Sequence, residues 1–382
     1  MELTGGALLA LAIILAIAAP AATMLAWSRV RGVPVLRGAQ RLALVAVCQL
    51  CAVLVTGVAV NDQFTLYESW DDLFGSNGTQ TGAVQADPTE AGANSSAGGT
   101  SSGTNGATGA STGTGRNLFG PMPGTGRVLH EQIRGPASGV TAKIWVLLPA
   151  DYDQPATATK RYPVVMFLPG YPGTPTTWLH ALHLQQVMDA EVAAGHVQPF
   201  IAVLPTMNVA SPRDTECADV PNGPQAATWL GTDVPAIIQA QTRSLPPGPG
   251  WAVTGYSTGG FCTAKLTLTR PTIFGSGAVL AGYFSPSNDI TTGDLYGGNP
   301  ALQHANDPQW LLTHRPTPAS HLLTVWSAQD PETAGPTQAF LKAVRPPLKA
   351  DEIRMAKGGH NTQVWLGVLP QVLRWLSTHL HP

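Results

Sequence analysis

The sequence predicts a mostly parallel β-sheet with helices on both faces, preceded by a pair of membrane-spanning helices. Three observations predict this. From about Arg127 onward, short runs of Val, Ile and Leu alternate with longer helix-compatible segments, the pattern of β-α-β units. One such run ends in Gly255-Tyr-Ser-Thr-Gly259, a serine between two glycines where a strand must turn sharply into a helix. Ahead of this region, residues 7–27 and 42–60 are uncharged and apolar, each near the roughly 20 residues that cross a bilayer core.

The chain has 382 residues and a net charge of −2, so it carries no electrostatic footprint for nucleic acid. Only 12% of its residues are charged, a deficit concentrated in the apolar N-terminus and a neutral linker. Residues 1–62 are expected to form a transmembrane hairpin. The competing reading of the first stretch is a cleaved signal peptide, but no basic residue precedes it and a second span follows at once. Arg29, Arg31, Arg37 and Arg41 lie between the spans and assign that loop to the cytoplasm. The expected location is therefore the cell membrane, multi-pass, with everything after Val60 on the extracytoplasmic side. Pro20 falls within the first span, where membrane helices tolerate it. Cys48 and Cys51 sit inside the second span and read as small packing residues. Cys217 and Cys262 belong to the outer part, where disulfides persist, and are expected to be bridged.

Residues 63–74, with Phe64, Tyr67 and Trp70, read as a juxtamembrane segment. Residues 75–118 are Gly, Ser, Thr, Asn and Ala with little apolar bulk, a tether with a root-mean-square span of about 35 Å. Residues 119–382 are the expected catalytic domain. Early strands are read at Val128, 132–134 and 143–148, then a buried strand at 162–168 that ends in Pro169-Gly-Tyr-Pro-Gly173. A helix over 180–194, a strand at 200–204 and a polar loop over 206–223 follow. Next come a helix over 225–244 despite Pro235, the elbow strand, strands at 277–280 and 321–326, and a final strand and helix at 353–355 and 364–379. In such sheets chemistry sits beyond the carboxyl ends of the strands.

Two further Gly-x-Ser-x-Gly matches, at Ser101 and Ser111, lie in the linker with no strand before or helix after; in a chain with 41 glycines the motif has value only in context. Ser257 has that context. Its hydroxyl needs a base, and the base an orienting acid. On the α/β-hydrolase fold these follow in the order serine, acid, histidine. Among the histidines after Ser257, His360 alone follows a short strand through a glycine turn, Lys357-Gly-Gly-His-Asn361. Asp330, just beyond the strand ending at Trp326, is the expected acid, with Glu332 as the alternative. Oxyanion donors are expected from the backbone of Thr258 and of Tyr171, since the neighbouring prolines 169 and 172 have no N–H. The histidines lack close ligand spacing, so no metal and no cofactor is expected.

The elbow, the Leu-Pro-Gly-Tyr171 turn, Trp229-Leu-Gly-Thr-Asp-Val-Pro235 and Gly-Gly-His-Asn-Thr-Gln-Val-Trp365 together resemble the esterase-D-like α/β-hydrolases, the branch that includes bacterial extracytoplasmic esterases and mycolyltransferases. The resemblance runs from about Arg127 to the C-terminus. It implies Ser257 as nucleophile, His360 as base, and Thr258 and Tyr171 as oxyanion donors. It leaves the acid open, because members use either an aspartate or a glutamate slightly further on. No trehalose-binding set is recognisable, so mycolyl transfer is not implied.

The expected function is that of a membrane-anchored serine esterase or acyltransferase working through an acyl-enzyme, on an ester or acyl-donor substrate of the envelope. The bilayer is its other partner. The loop 206–223 and the segment 283–310 are expected to wall the pocket; Arg213, Asp214 and Glu216 there read either as a polar contact or as surface charge. A catalytically idle envelope-binding module is the alternative, opposed by the intact triad order. A peptidase on this fold would carry a propeller or cap domain that the chain lacks.

Overall fold

The computed structural model describes residues 6–64, 84–85, 118–121 and 127–381. Most of the juxtamembrane and linker stretches lie outside the described residues.

Helices α1 (Gly6–Trp27) and α2 (Pro34–Phe64) are long and apolar enough to cross a membrane, each holding an 18-residue stretch of mean hydropathy 2.5. They pack antiparallel, Leu8 against Val58 and the Thr23 hydroxyl 3.2 Å from the Cys48 sulfur. Both Cys48 and Cys51 are free thiols, consistent with a packing role. Where residues 42–60 were expected, α2 starts two turns earlier, so Arg37 and Arg41 lie on the helix and not in the loop. Pro34 suits a first helical position, and the Arg41 guanidinium stacks 4.9 Å over the Trp27 ring.

The domain is built on eight strands: β1 (Val128–Arg134), β2 (Thr141–Leu147), β3 (Val164–Leu168), β4 (Ile201–Pro205), β5 (Gly248–Tyr256), β6 (Phe274–Leu280), β7 (His321–Ser327) and β8 (Lys349–Met355). Their order is β1-β2-β4-β3-β5-β6-β7-β8, with β2 antiparallel to both neighbours and the rest parallel. Val84–Gln85 and Gly120–Pro121 add short ladders on β1. Strands β3 and β4 are buried at every position, which is why they read as continuous apolar runs and not as alternation.

The helices are α3 (Leu184–Ala193), α4 (Val234–Gln241), α5 (Thr258–Thr269), α6 (Pro300–Ala305), α7 (Pro308–His314), α8 (Ala334–Ala343) and α9 (Thr362–His379). Leu184 and Met188 of α3 and Trp365, Leu369 and Leu373 of α9 bury one face of the sheet with Phe167 and Phe200. Ile237 of α4 and Phe261 and Leu266 of α5 bury the other, against Ile144, Val164 and Trp251.

Three expected elements change. The helix over 180–194 is split: a turn at Thr177–His180 ends, and His183 takes φ 47° before α3 begins. Leu182 and Leu184 are both fully buried, and two positions apart on one helix would face opposite ways. The helix over 225–244 contains a wide turn at Trp229–Asp233 and ends at Gln241; Pro235 has no N–H to continue a regular ladder. Residues 283–310 are wall only in part: 283–292 line the larger cavity, while α6 and the start of α7 fold within the remainder. Asn299 and Asp307 cap these helices, and Pro300 and Pro308 follow them. That Asx-Pro signature was present in the sequence.

Candidate active site

The elbow is held open by steric necessity. A Cβ on Gly255 would lie 2.4 Å from the Gly259 backbone, and one on Gly259 would lie 2.3 Å from the Leu168 carbonyl oxygen. Ser257 between them takes φ 56° and ψ −123°, a strained conformation for a side-chain-bearing residue. Its N–H donates to the Leu280 carbonyl at 3.0 Å, tying the apex to β6. Helix α5 begins at the next residue, so the Thr258 N–H has no intrahelical acceptor and points out at the positive end of the helix.

The loop after β8 brings His360 over this elbow, and the loop after β7 brings the acid to it. His360 Nδ1 donates to Asp330 Oδ2 at 3.0 Å. Asp330 is 2% exposed. Its Oδ2 also accepts from the Thr333 hydroxyl at 2.7 Å and its Oδ1 from the Glu332 N–H at 3.1 Å. Burial opposes its ionisation, yet the hydrogen bonds from His360 and Thr333 outweigh it and hold the carboxyl below its ordinary value. Of the two expected acids, it is Asp330 that the imidazole touches. The Glu332 side chain is exposed at the rim.

The turn after β3 packs on the elbow: a Cβ on Gly170 would come within 2.9 Å of the Ser257 Cβ. Tyr171 follows, and its hydroxyl donates to the Pro212 carbonyl at 2.5 Å. Two cavities meet at this point. A small one of about 110 Å³ is lined by Ser257 and His360 with Gly170, Tyr256 and Trp365. A larger, more polar one of about 490 Å³ is lined by Tyr171 and Thr258 with Asp214, Tyr283, Asp289 and Glu332. Of the six expected site residues, Ser257, His360, Thr258, Tyr171 and Glu332 border this composite cleft, while Asp330 lies buried behind His360. Ligand atoms of Asp330, Glu332 and His360 also fall within 4.8 Å of one another, a spacing a cation could use. Both Asp330 oxygens are already engaged as described, so the cluster fits a triad acid better than a metal cage.

A buried network beneath the cleft went largely unread in the sequence. Asp214 and Glu216 are 3% and 0% exposed, which removes the surface-charge reading. Asp214 Oδ2 accepts from the Thr258 hydroxyl at 3.2 Å, and Glu216 Oε1 accepts from the Tyr283 hydroxyl at 2.6 Å. Burial raises both carboxyls, Glu216 to about 7. Lys265, on α5, donates to the carbonyls of Glu216 and Cys217 at 2.7 and 2.9 Å and to Asn306 Oδ1 at 3.0 Å; burial pulls it down to about 7. Its place on a helix following the elbow carried no periodic signal for burial. Cys217 and Cys262 are bridged as expected, with Cα atoms 6.0 Å apart. Arg213 turns away, donating to the carbonyls of Thr292 and Asp294.

Residues 136–375 match the family model described as putative esterase. The chain belongs to this family. Esterase-family membership agrees with the strand order and the elbow. An uncharacterized protein of Corynebacterium glutamicum is 24% identical over 240 residues, 60% of this chain and 55% of that one. The chain thus spans little more than half the length of this curated relative. A solved ferulic acid esterase superposes with TM-score 0.57 at 19% identity, over 66% of this chain and 98% of that one. An S-formylglutathione hydrolase of Agrobacterium tumefaciens superposes with TM-score 0.56 at 14% identity, over 66% and 95%. The structural likenesses bear out the α/β-hydrolase fold, and the family match bears out the expected esterase resemblance.

Proposed function

We propose that the protein is a membrane-anchored, extracytoplasmic serine esterase or acyltransferase with Ser257 as nucleophile, His360 as general base and Asp330 as orienting acid. The observation that carries this reading is the His360 Nδ1 to Asp330 Oδ2 hydrogen bond, made by an imidazole that borders the same cavity as Ser257. With Nδ1 donating to the buried carboxylate, Nε2 is left as the acceptor that a serine hydroxyl needs.

The reaction follows from this arrangement. Ser257 Oγ attacks the ester carbonyl carbon and its proton passes to His360 Nε2. The carbonyl oxygen becomes an oxyanion, met by the N–H groups of Thr258 and Tyr171. As the intermediate collapses, the bond from carbon to the alcohol oxygen breaks and His360 returns the proton to the departing alcohol. Water or an acceptor alcohol then attacks the acyl-enzyme by the same steps in reverse, giving an acid or a new ester. The N-terminal helices anchor the enzyme, with Arg29 and Arg31 on the cytoplasmic side.

Fluorophosphonate labelling in membranes, followed by peptide mapping, tests the reading. Labelling at Ser257 that Ser257→Ala and His360→Ala both abolish is the expected result. A folded protein that takes no label would instead favour an idle binding module.

A further inference from the structure

Away from the oxyanion N–H groups, the side chains of the larger cavity offer hydrogen-bond acceptors and not donors. The hydroxyls of Tyr171, Thr258, Tyr283, Ser285 and Thr291 each donate to an acceptor in the wall: the Pro212 carbonyl, or a carboxyl oxygen of Asp214, Glu216, Asp307 or Asp289. Their single protons are therefore committed to the wall, and what remains toward the cavity is lone pairs. Asp214, Asp289 and Glu332 also line it, and neither lysine nor arginine does. Arg213 is committed to the Thr292 and Asp294 carbonyls. Lys265 lies beneath, with its ammonium bonds spent on Glu216, Cys217 and Asn306. The charge at this cavity sits on Asp289, whose carboxyl the Thr291 hydroxyl holds below its ordinary value, and on the exposed Glu332 at the rim.

The geometry points to a substrate whose alcohol half carries an ammonium group, seated in the 490 Å³ cavity beside Thr258 and Glu332. This rests on the proposed serine chemistry. The acyl half would occupy the 110 Å³ cavity between Gly170, Tyr256 and Trp365, a volume of about four waters. A neutral polyol would satisfy the acceptors but not the charge. An anionic alcohol would be repelled by the rim and find no cation to meet it. Glu332, exposed at the mouth, and Asp289, on the facing loop, are the specificity determinants. The ammonium alcohol leaves with the proton that His360 returns to its oxygen.

The test uses the full-length protein in membranes and four butyrate esters that differ only in the alcohol: dimethylaminopropanol, its uncharged carbon isostere, glycerol and a propanol sulfonate. Acid release gives kcat/KM. The ammonium ester is expected to exceed the isostere and the glycerol ester by about tenfold, with the sulfonate ester slowest. Glu332→Gln with Asp289→Asn should shrink that preference to about twofold, and added salt should shrink it in the unmodified protein. Glu332→Gln alone, at an exposed side chain, keeps the test open if Asp289→Asn disturbs the turn that Asp289 caps at Thr291 and Thr292. A preferred glycerol or sulfonate ester, or a preference that survives both substitutions, overturns the inference. Fluorophosphonate labelling of the same membranes separates the two levels. Labelled Ser257 without an ammonium preference sinks only the substrate class, whereas unlabelled folded protein sinks the serine chemistry along with it.

Discussion

At Gly259 the space for a side chain is already filled by the Leu168 and Pro169 carbonyl oxygens, 2.3 and 2.5 Å from where a Cβ would sit. Gly259→Ala is therefore expected to lower the melting temperature sharply or abolish folding. Gly367→Ala, on α9 with nothing within 4 Å of the added Cβ, should raise stability by about 0.5–1 kcal/mol. Thermal unfolding of the two variants side by side checks the steric account of the elbow. Asp330→Asn removes a carboxylate whose two oxygens hold three partners. It is expected to lower kcat on any ester by about 10⁴-fold, because His360 would lose its fixed tautomer; steady-state kinetics with a folding control measures this.

The loop 206–223 and the nucleophile helix act as one piece, through the Cys217–Cys262 bridge and the Lys265 ammonium. Cys217→Ser with Cys262→Ser should cost about 2–5 kcal/mol in denaturant unfolding. The same element carries a pH dependence through Glu216. Burial raises its carboxyl from 4.5 to about 7, so between those values the native state holds a proton that the unfolded chain has released. That contribution is complete below about pH 4.5 and is lost as the pH climbs through about 7. Lys265, pulled down to about 7, contributes in the opposite direction above that window. The expected outcome is a melting temperature that falls across this range in the unmodified protein and falls less in Glu216→Gln.

For the whole molecule, the two apolar helices and the domain that follows make one topological prediction. Alkaline phosphatase fused after Val60 should be active, and a cysteine placed at Arg31 should be shielded from impermeant reagents outside the cell. An inactive fusion would place the catalytic domain on the cytoplasmic side and remove the extracytoplasmic substrate with it.

The strand alternation, the elbow glycines and the order Ser257, Asp330, His360 were legible in the sequence because each depends on local physics. Buried parallel strands are apolar throughout, a tight elbow excludes side chains, and loops at strand ends project over the sheet. The Cys217–Cys262 pairing was expected too, but the 6.0 Å approach of their Cα atoms that permits it is set by the tertiary structure. What the chain could not disclose is long-range. The choice of Asp330 over Glu332 depends on which carboxylate His360 meets across thirty residues. The burial of Asp214, Glu216 and Lys265 depends on three separate segments closing around Thr258. The donor-poor side-chain lining of the large cavity arises only when hydroxyls from three separate segments find acceptors in the wall. Periodicity reports which face of an element is buried, but tertiary structure alone decides which polar groups meet there and where their protons go.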